Sequence, residues 1–451
     1  MTTADAPPDE RDLRRSAPPT RWRYAEPGRR DLRLDLIRGY ALAAMAVNHL
    51  GLHQSYVHTV SGRSSFLISA AEVFLFVSGY TLGFISFGRP AATAVRRLVN
   101  RTWAVYLATI GISLGLSAVA MATTLQLWGE FEIGTHQGPL SWLADVVTMR
   151  GVFNGADILI AYVVYLGVGV GALWLLHRGR TAVVIAATVA LYALGAAGFG
   201  AENLGIASFR ALLPNAPLFF GGLVIGYHRH TIDRWWSSLS LRPVLDVAVM
   251  VAAVGLGVVH AAGWPVLGEL GRVITGGALD EPLWIRESVM PIGALAVVGL
   301  YMRAVWLVAD RAWGVLRPTL GWLLVPLGQA GLFTFVLHLV AIAVMFNLPG
   351  FPYDDASRVE ATVWVLGYLG LIRTVVEGQR RTGAWLAERP DVAPRLRSAR
   401  PVLVATAMGV AMLTVGSTIA ADQWGTGEFG DGEDEIDDVD DGAPDDAEFD
   451  G

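Results

Sequence analysis

Cysteine is absent from the 451 residues, which excludes disulfides, zinc–thiolate sites and thiol nucleophiles. Lysine is absent as well, so all 34 basic residues are arginine. Charge of either sign is scarce, at 16% against 53% hydrophobic residues, and the mean hydropathy is +0.46. A soluble chain of this length carries far more charge, and apolar runs of about 20 residues recur, so the sequence reads as a polytopic, all-α membrane protein. The first ~30 residues are rich in Pro and Arg and lack an apolar h-region, so no cleavable signal peptide is expected and the first span should remain as an anchor.

The net charge of -6 hides an uneven distribution. Residues 428–450, EFGDGEDEIDDVDDGAPDDAEFD, are almost wholly acidic or small, which predicts a disordered tail. Without them the body is net positive. Nothing in the pattern points to nucleic acid.

Hydropathy predicts spans near 34–52, 64–87, 103–125, 156–176, 182–199, 212–227, 244–263, 288–309, 320–347, 360–376 and 401–421. Arginine placement orients them. With a cytoplasmic N-terminus, inner segments hold 25 arginines, outer segments hold six, and Arg38, Arg303 and Arg373 lie within spans. That is the bias the positive-inside rule requires. The expected organisation is an Arg/Pro-rich cytoplasmic tail (1–33), a ten-helix core (34–377), a basic cytoplasmic linker (378–400), an eleventh span (401–421) and an acidic extracytoplasmic tail (422–451). The location is the cytoplasmic membrane.

Charges inside spans are costly and mark functional candidates. The first span carries Asp35, Arg38, Leu42, Met45 and His49 at spacings of 3, 4, 3 and 4, which is one helical stripe. Eleven residues rise ~16 Å, so Arg38 and His49 share a face but lie near opposite sides of the bilayer. Asn48 adjoins the histidine. Glu72, in AEVFLFVSGY of the second span, falls near the depth of His49, and a carboxylate beside an imidazole raises its basicity. The alternatives are a snorkelling Arg38, an interfacial His49 and a structural Glu72.

The segment GRPAATAVRRLVNRTWAVYL offers Arg89, Arg96, Arg97 and Arg101, which suit phosphates or serve only as the positive-inside signal. Asp157 opens the fourth span in GADILIAYVVYL, with Tyr162 and Tyr165 below it. His338, in LGQAGLFTFVLHLV of the ninth, either belongs to a proton or acyl path or hydrogen-bonds a neighbouring helix. No metal-ligand cluster stands out.

DLRLDLIRGYALAAMAVNHLG, AAEVFLFVSGYTLGF and RRLVNRTWAVYL together resemble the OpgC-like membrane acyltransferases. These belong to a transmembrane acyltransferase superfamily that includes acyltransferase-3 enzymes and heparan-alpha-glucosaminide N-acetyltransferase. Its first-span pattern, Arg, ten residues, His, is matched by Arg38 and His49. ADILIAYVVYL is similar to the family's DILPLY segment, with Ile160 and Ala161 departing from it. LGQAGLFTFVLHLV is similar to LGxxSYxxYLxH, with Gly331 and Phe335 in place of Ser and Tyr. The likeness covers about residues 31–345.

The resemblance implies transfer of an acyl group (succinyl or acetyl) from cytoplasmic acyl-CoA to a hydroxyl of an extracytoplasmic polysaccharide or glycolipid. His49 and Glu72 become the candidate catalytic pair. Arg38, Arg97 and Arg101 become the candidate CoA-phosphate binders. Asp35, Asn48, Asp157, Tyr162 and His338 become substrate-binding or supporting residues, with acyl-CoA as co-substrate, no metal, and a homo-oligomer left open. The rival reading is a proton-coupled transporter or flippase for a glycan or lipid that uses the same charges. A non-catalytic scaffold with a recruiting acidic tail is the third.

Overall fold

The computed structural model describes residues 25–26, 30–61, 68–122, 139–150, 156–199, 212–262, 292–352 and 356–387. The expected eleventh span, the acidic tail and outer residues 126–138 lie outside the described residues. Apart from a two-residue antiparallel pairing of Ala25 with Asp31 and Glu26 with Arg30, the regular structure is helical. The helices are α1 Leu32–Leu50, α2 Ala70–Ser86, α3 Ala91–Ala122, α4 Pro139–Val147, α5 Asp157–His177, α6 Thr181–Ala196 and α7 Ala216–Tyr227. They continue as α8 Arg229–Ser238, α9 Arg242–Ala262, α10 Ile292–Arg311, α11 Trp313–Thr319, α12 Gly321–Gln329, α13 Gly331–Phe346 and α14 Arg358–Ala387.

Among the described residues, three stretches can cross a membrane by length and composition: Ile158–His177, Arg242–Val259 and Arg358–Thr382. α12 and α13 qualify together but bend by 104° at their break, so the expected ninth span of 320–347 is two helices rather than one. The small residues Gly328, Ala330 and Gly331 lie at the break. α1 is not singled out by apolarity because Arg33, Asp35 and Arg38 lie within it. The all-helical class is therefore clear, and the described helices account for three or four spans by this measure. α14 runs to Ala387, ten residues past the expected end of the core at 377.

α9 shows the signature of a lipid-facing helix. Val244, Val247, Val251, Val254 and Val258 repeat every three or four residues and are 59–65% exposed. Such a stripe of exposed valines has no place against water.

α1 is the central helix. Asp31 caps its start by accepting from the Arg33 backbone N–H at 3.1 Å, and Gly51 ends it in the left-handed conformation at φ 81°. It is buried along nearly its whole length between two apolar clusters. Ile37, Leu42 and Met45 pack toward α2, α5, α7 and α10, and Leu36, Val47 and Leu50 toward α12, α13 and α14.

Two glycine crossings set the tightest helix contacts. Gly79 and Gly83 of α2 meet Gly222 and Gly226 of α7, two small-xxx-small pairs that bring backbone against backbone; a Cβ on Gly226 would lie 2.0 Å from the Tyr80 carbonyl oxygen. α1 crosses α12 in the same way. A Cβ on Gly39 would lie 1.8 Å from the Leu324 carbonyl oxygen, and one on Gly328 would lie 1.8 Å from that of Asp35.

Candidate functional site

The α1–α12 crossing decides where Arg38 goes. Only 9% exposed, its guanidinium is fenced by three groups. Nη2 donates to Thr81 Oγ1 of α2 at 2.7 Å, Nη1 reaches the Gly328 carbonyl at 3.5 Å, and Nη1 lies 3.7 Å from Asp35 Oδ1 one turn earlier. Arg38 thus sits on the C-terminal end of α12, where carbonyls have no partner within their own helix.

The same guanidinium lines a cavity of about 360 Å³ between α1, α2, α3 and α5, together with Asp35, Thr81, Arg89, Arg101 and Tyr162. Arg101 projects from α3 and donates from Nε and Nη2 to the Tyr162 hydroxyl at 3.1 and 2.8 Å. Tyr162 is 3% exposed and holds its ring edge-on to Phe74, so the phenol is fixed and fixes the arginine in turn. Three arginines from three elements therefore face one hollow. Arg97, one turn before Arg101, is exposed on α3 and does not line this cavity. Asp157 opens α5, and its side chain lies outside the described residues.

At the other end of α1, His49 meets a second histidine. Its Nδ1 lies 3.0 Å from His338 Nε2 of α13, with ring centroids 5.2 Å apart. His338 is 1% exposed, its ring lies edge-on to Phe335, and its own carbonyl accepts from the Tyr368 hydroxyl at 3.0 Å. Burial and these contacts leave the ring one orientation, and that orientation faces His49.

Glu72, expected beside His49, has another engagement. Its carboxylate accepts from the Ser69 backbone N–H at 2.8 Å while the Ser69 hydroxyl accepts from the Glu72 N–H at 3.2 Å, a reciprocal capping box that starts α2. Asn48 accepts from the Ser61 hydroxyl at 2.8 Å and so ties α1 to the loop that follows it. Reasoning from the sequence did not foresee Thr81 or the Gly328 carbonyl as partners of Arg38, since neither residue type signals such a role. The Ser-x-x-Glu spacing is the sequence signal that marks such a cap.

The structure thus gathers Asp35, Arg38, Arg101 and Tyr162 around one cavity and pairs His49 with His338. Comparison with known families finds a match to one, the OpgC protein family, over residues 30–376. No curated protein and no solved structure matches the chain.

Proposed function

This chain belongs to the OpgC protein family, and on that footing we propose that it is a membrane acyltransferase acting on extracytoplasmic glycans. The donor is acyl-CoA from the cytoplasm, carrying a succinyl or acetyl group, and the acceptor is a hydroxyl of a polysaccharide or glycolipid. The ten-helix membrane core with a cytoplasmic N-terminus, and the appended eleventh span, are part of the same proposal, resting on hydropathy and arginine placement.

One observation carries the reading: a single helix presents Arg38 to an arginine-lined cavity and, eleven residues on, presents His49 to His338. The ~16 Å rise between them is comparable to the length of a pantetheine arm. Arg38, Arg89 and Arg101 offer guanidinium forks for the phosphates of CoA, with Tyr162 holding Arg101 in place. Arg97, being exposed, would meet the nucleotide only at the mouth.

The His pair fixes the proton bookkeeping. For His49 Nε2 to act as a base, Nδ1 must carry the ring hydrogen and donate it to His338 Nε2. The acceptor hydroxyl then loses its proton to His49 Nε2 as its oxygen attacks the thioester carbonyl. The carbon–sulfur bond breaks, and the thiolate leaves as CoA after taking that proton back. The imidazolium formed in between is stabilised by its Nδ1–H···Nε2 bond to His338.

The test uses the purified full chain in detergent with acetyl- or succinyl-CoA, a glucan oligosaccharide as acceptor, and free thiol as readout. Acceptor-dependent CoA release that vanishes in His49→Ala, with the folded fraction unchanged, supports the assignment. Wild-type release from that variant refutes the base, and solute movement in liposomes without CoA release favours transport.

A further inference from the structure

On the other side of α1 and α2 from the arginine-lined hollow lies a second cavity, of about 220 Å³. Its walls are apolar, supplied by Leu34, Ile37, Val77 and Met302 among others, yet Arg229 and Arg303 also line it. Arg229 stacks on Phe84 with Cζ 4.0 Å from the ring, and its Nε and Nη1 are buried without a hydrogen-bond partner. Arg303 places Cζ 4.6 Å from the Trp236 ring and gives Nη2 to Asp246 at 2.8 Å, while its Nε is buried and unpartnered. Buried guanidinium N–H groups left unpaired are costly, and both arginines that carry them line this one hollow.

The surroundings are in excess positive charge. Asp233 lines the cavity, but Asp246 is shared by Arg242, Arg303 and Arg311 at 3.8, 2.8 and 2.8 Å. One carboxylate answers three guanidinium groups, so an added anion is favoured.

The cavity also has an extension. Ile37 and Met302 belong equally to a groove of about 610 Å³ between α1, α2, α9 and α10. Apart from Tyr40, Ser61 and Tyr301 its lining is apolar, and it follows α1 from Ser61 at one end to Leu320 at the other. An anion receptor that opens into a long apolar groove beside the lipid-facing helix α9 has the shape of an amphiphile. A nucleotide or a free inorganic anion has no use for the groove.

We propose that Arg229 and Arg303 hold the phosphodiester of an anionic phospholipid whose acyl chain occupies the groove between α1, α9 and α10. The site is separate from acyl transfer and does not depend on that reading.

The experiment counts lipid retained by the delipidated full chain, using native mass spectrometry after addition of dioleoylphosphatidylglycerol or dioleoylphosphatidylcholine. The wild type should retain one phosphatidylglycerol per chain and hold phosphatidylcholine more weakly. Arg229→Gln should weaken that retention on the order of tenfold, as expected for loss of a charge-assisted hydrogen bond. Gly299→Leu provides a second variant, because the space at its Cβ position is open and the residue lines the cavity. It should lower retention without altering charge. Equal retention of the two lipids, unchanged retention in both variants, or displacement of phosphatidylglycerol by inorganic phosphate or coenzyme A would each overturn the proposal.

Discussion

Replacing Gly328 by alanine tests whether α1 and α12 meet as closely as described. The new Cβ would lie 1.8 Å from the Asp35 carbonyl oxygen, whereas ordinary contact begins near 3.4 Å, so the helices must part by about 1.6 Å. The obstacle is helix backbone, in the first turn of α1, which cannot swing aside as a side-chain tip can. Overpacking by a single methyl costs about 1–3 kcal/mol, and a rigid neighbour places this case at the upper end, about 3 kcal/mol. Parting the helices also carries the Gly328 carbonyl away from Arg38 Nη1, already at 3.5 Å. Unfolding in mixed micelles with rising dodecyl sulfate, followed by circular dichroism, gives the loss directly. Gly111→Ala in α3 is the control, since nothing lies within 4 Å of its Cβ position, and the helix propensity of alanine should make it neutral or stabilising by up to about 1 kcal/mol. If both variants unfold at the same detergent fraction, the close crossing is wrong, and with it the placement of Arg38.

Replacing His338 by leucine should lower acyl transfer on the order of a hundredfold, as for a general base deprived of its support, while glutamine, whose carbonyl can still accept from His49 Nδ1, should retain more; equal rates for leucine and wild type would dismiss the pair. Glu72→Gln should leave transfer near wild type and Ser69→Ala should cost about 1 kcal/mol of stability, because the carboxylate caps α2; a hundredfold slower Glu72→Gln would return Glu72 to the chemistry. With no native cysteine, single cysteines map the topology without background. One at Ser238 should react with an impermeant maleimide only from the cytoplasmic side, and one at Tyr56 only from outside, with the reverse pattern inverting the whole orientation.

Legibility in the sequence followed the range of the interaction. α1 and α5 begin and end within two residues of their hydropathic expectation, since burial and chain direction there are local properties. The second span starts at Ala70 rather than Ser64, set by the Ser69–Glu72 cap, a four-residue signal that hydropathy does not weigh. Hydropathy predicts one continuous ninth span because apolar content is indifferent to a 104° change of direction. The His49–His338 pair joins residues 289 apart, and no spacing rule reaches that far. Arg101 and Arg97 look equivalent in sequence and both are exposed; only Tyr162 on α5 separates a guanidinium held at the cavity from one that does not line it.

The break between α12 and α13 bears on how the protein is made. A helix interrupted at membrane depth leaves backbone carbonyls that lipid cannot satisfy. Here Thr334 donates back to the Leu327 carbonyl at 2.9 Å, and Arg38, 290 residues earlier in the chain, approaches that of Gly328. During synthesis α1 emerges long before α12 and α13, the partners that pack against it. The broken helix, in turn, has no resting place until α1 is there to receive it. Assembly therefore closes like a clasp, with an early helix joined by a late one, and a nascent chain halted before residue 320 should hold Arg38 by Asp35 and Thr81 alone, without the Gly328 carbonyl.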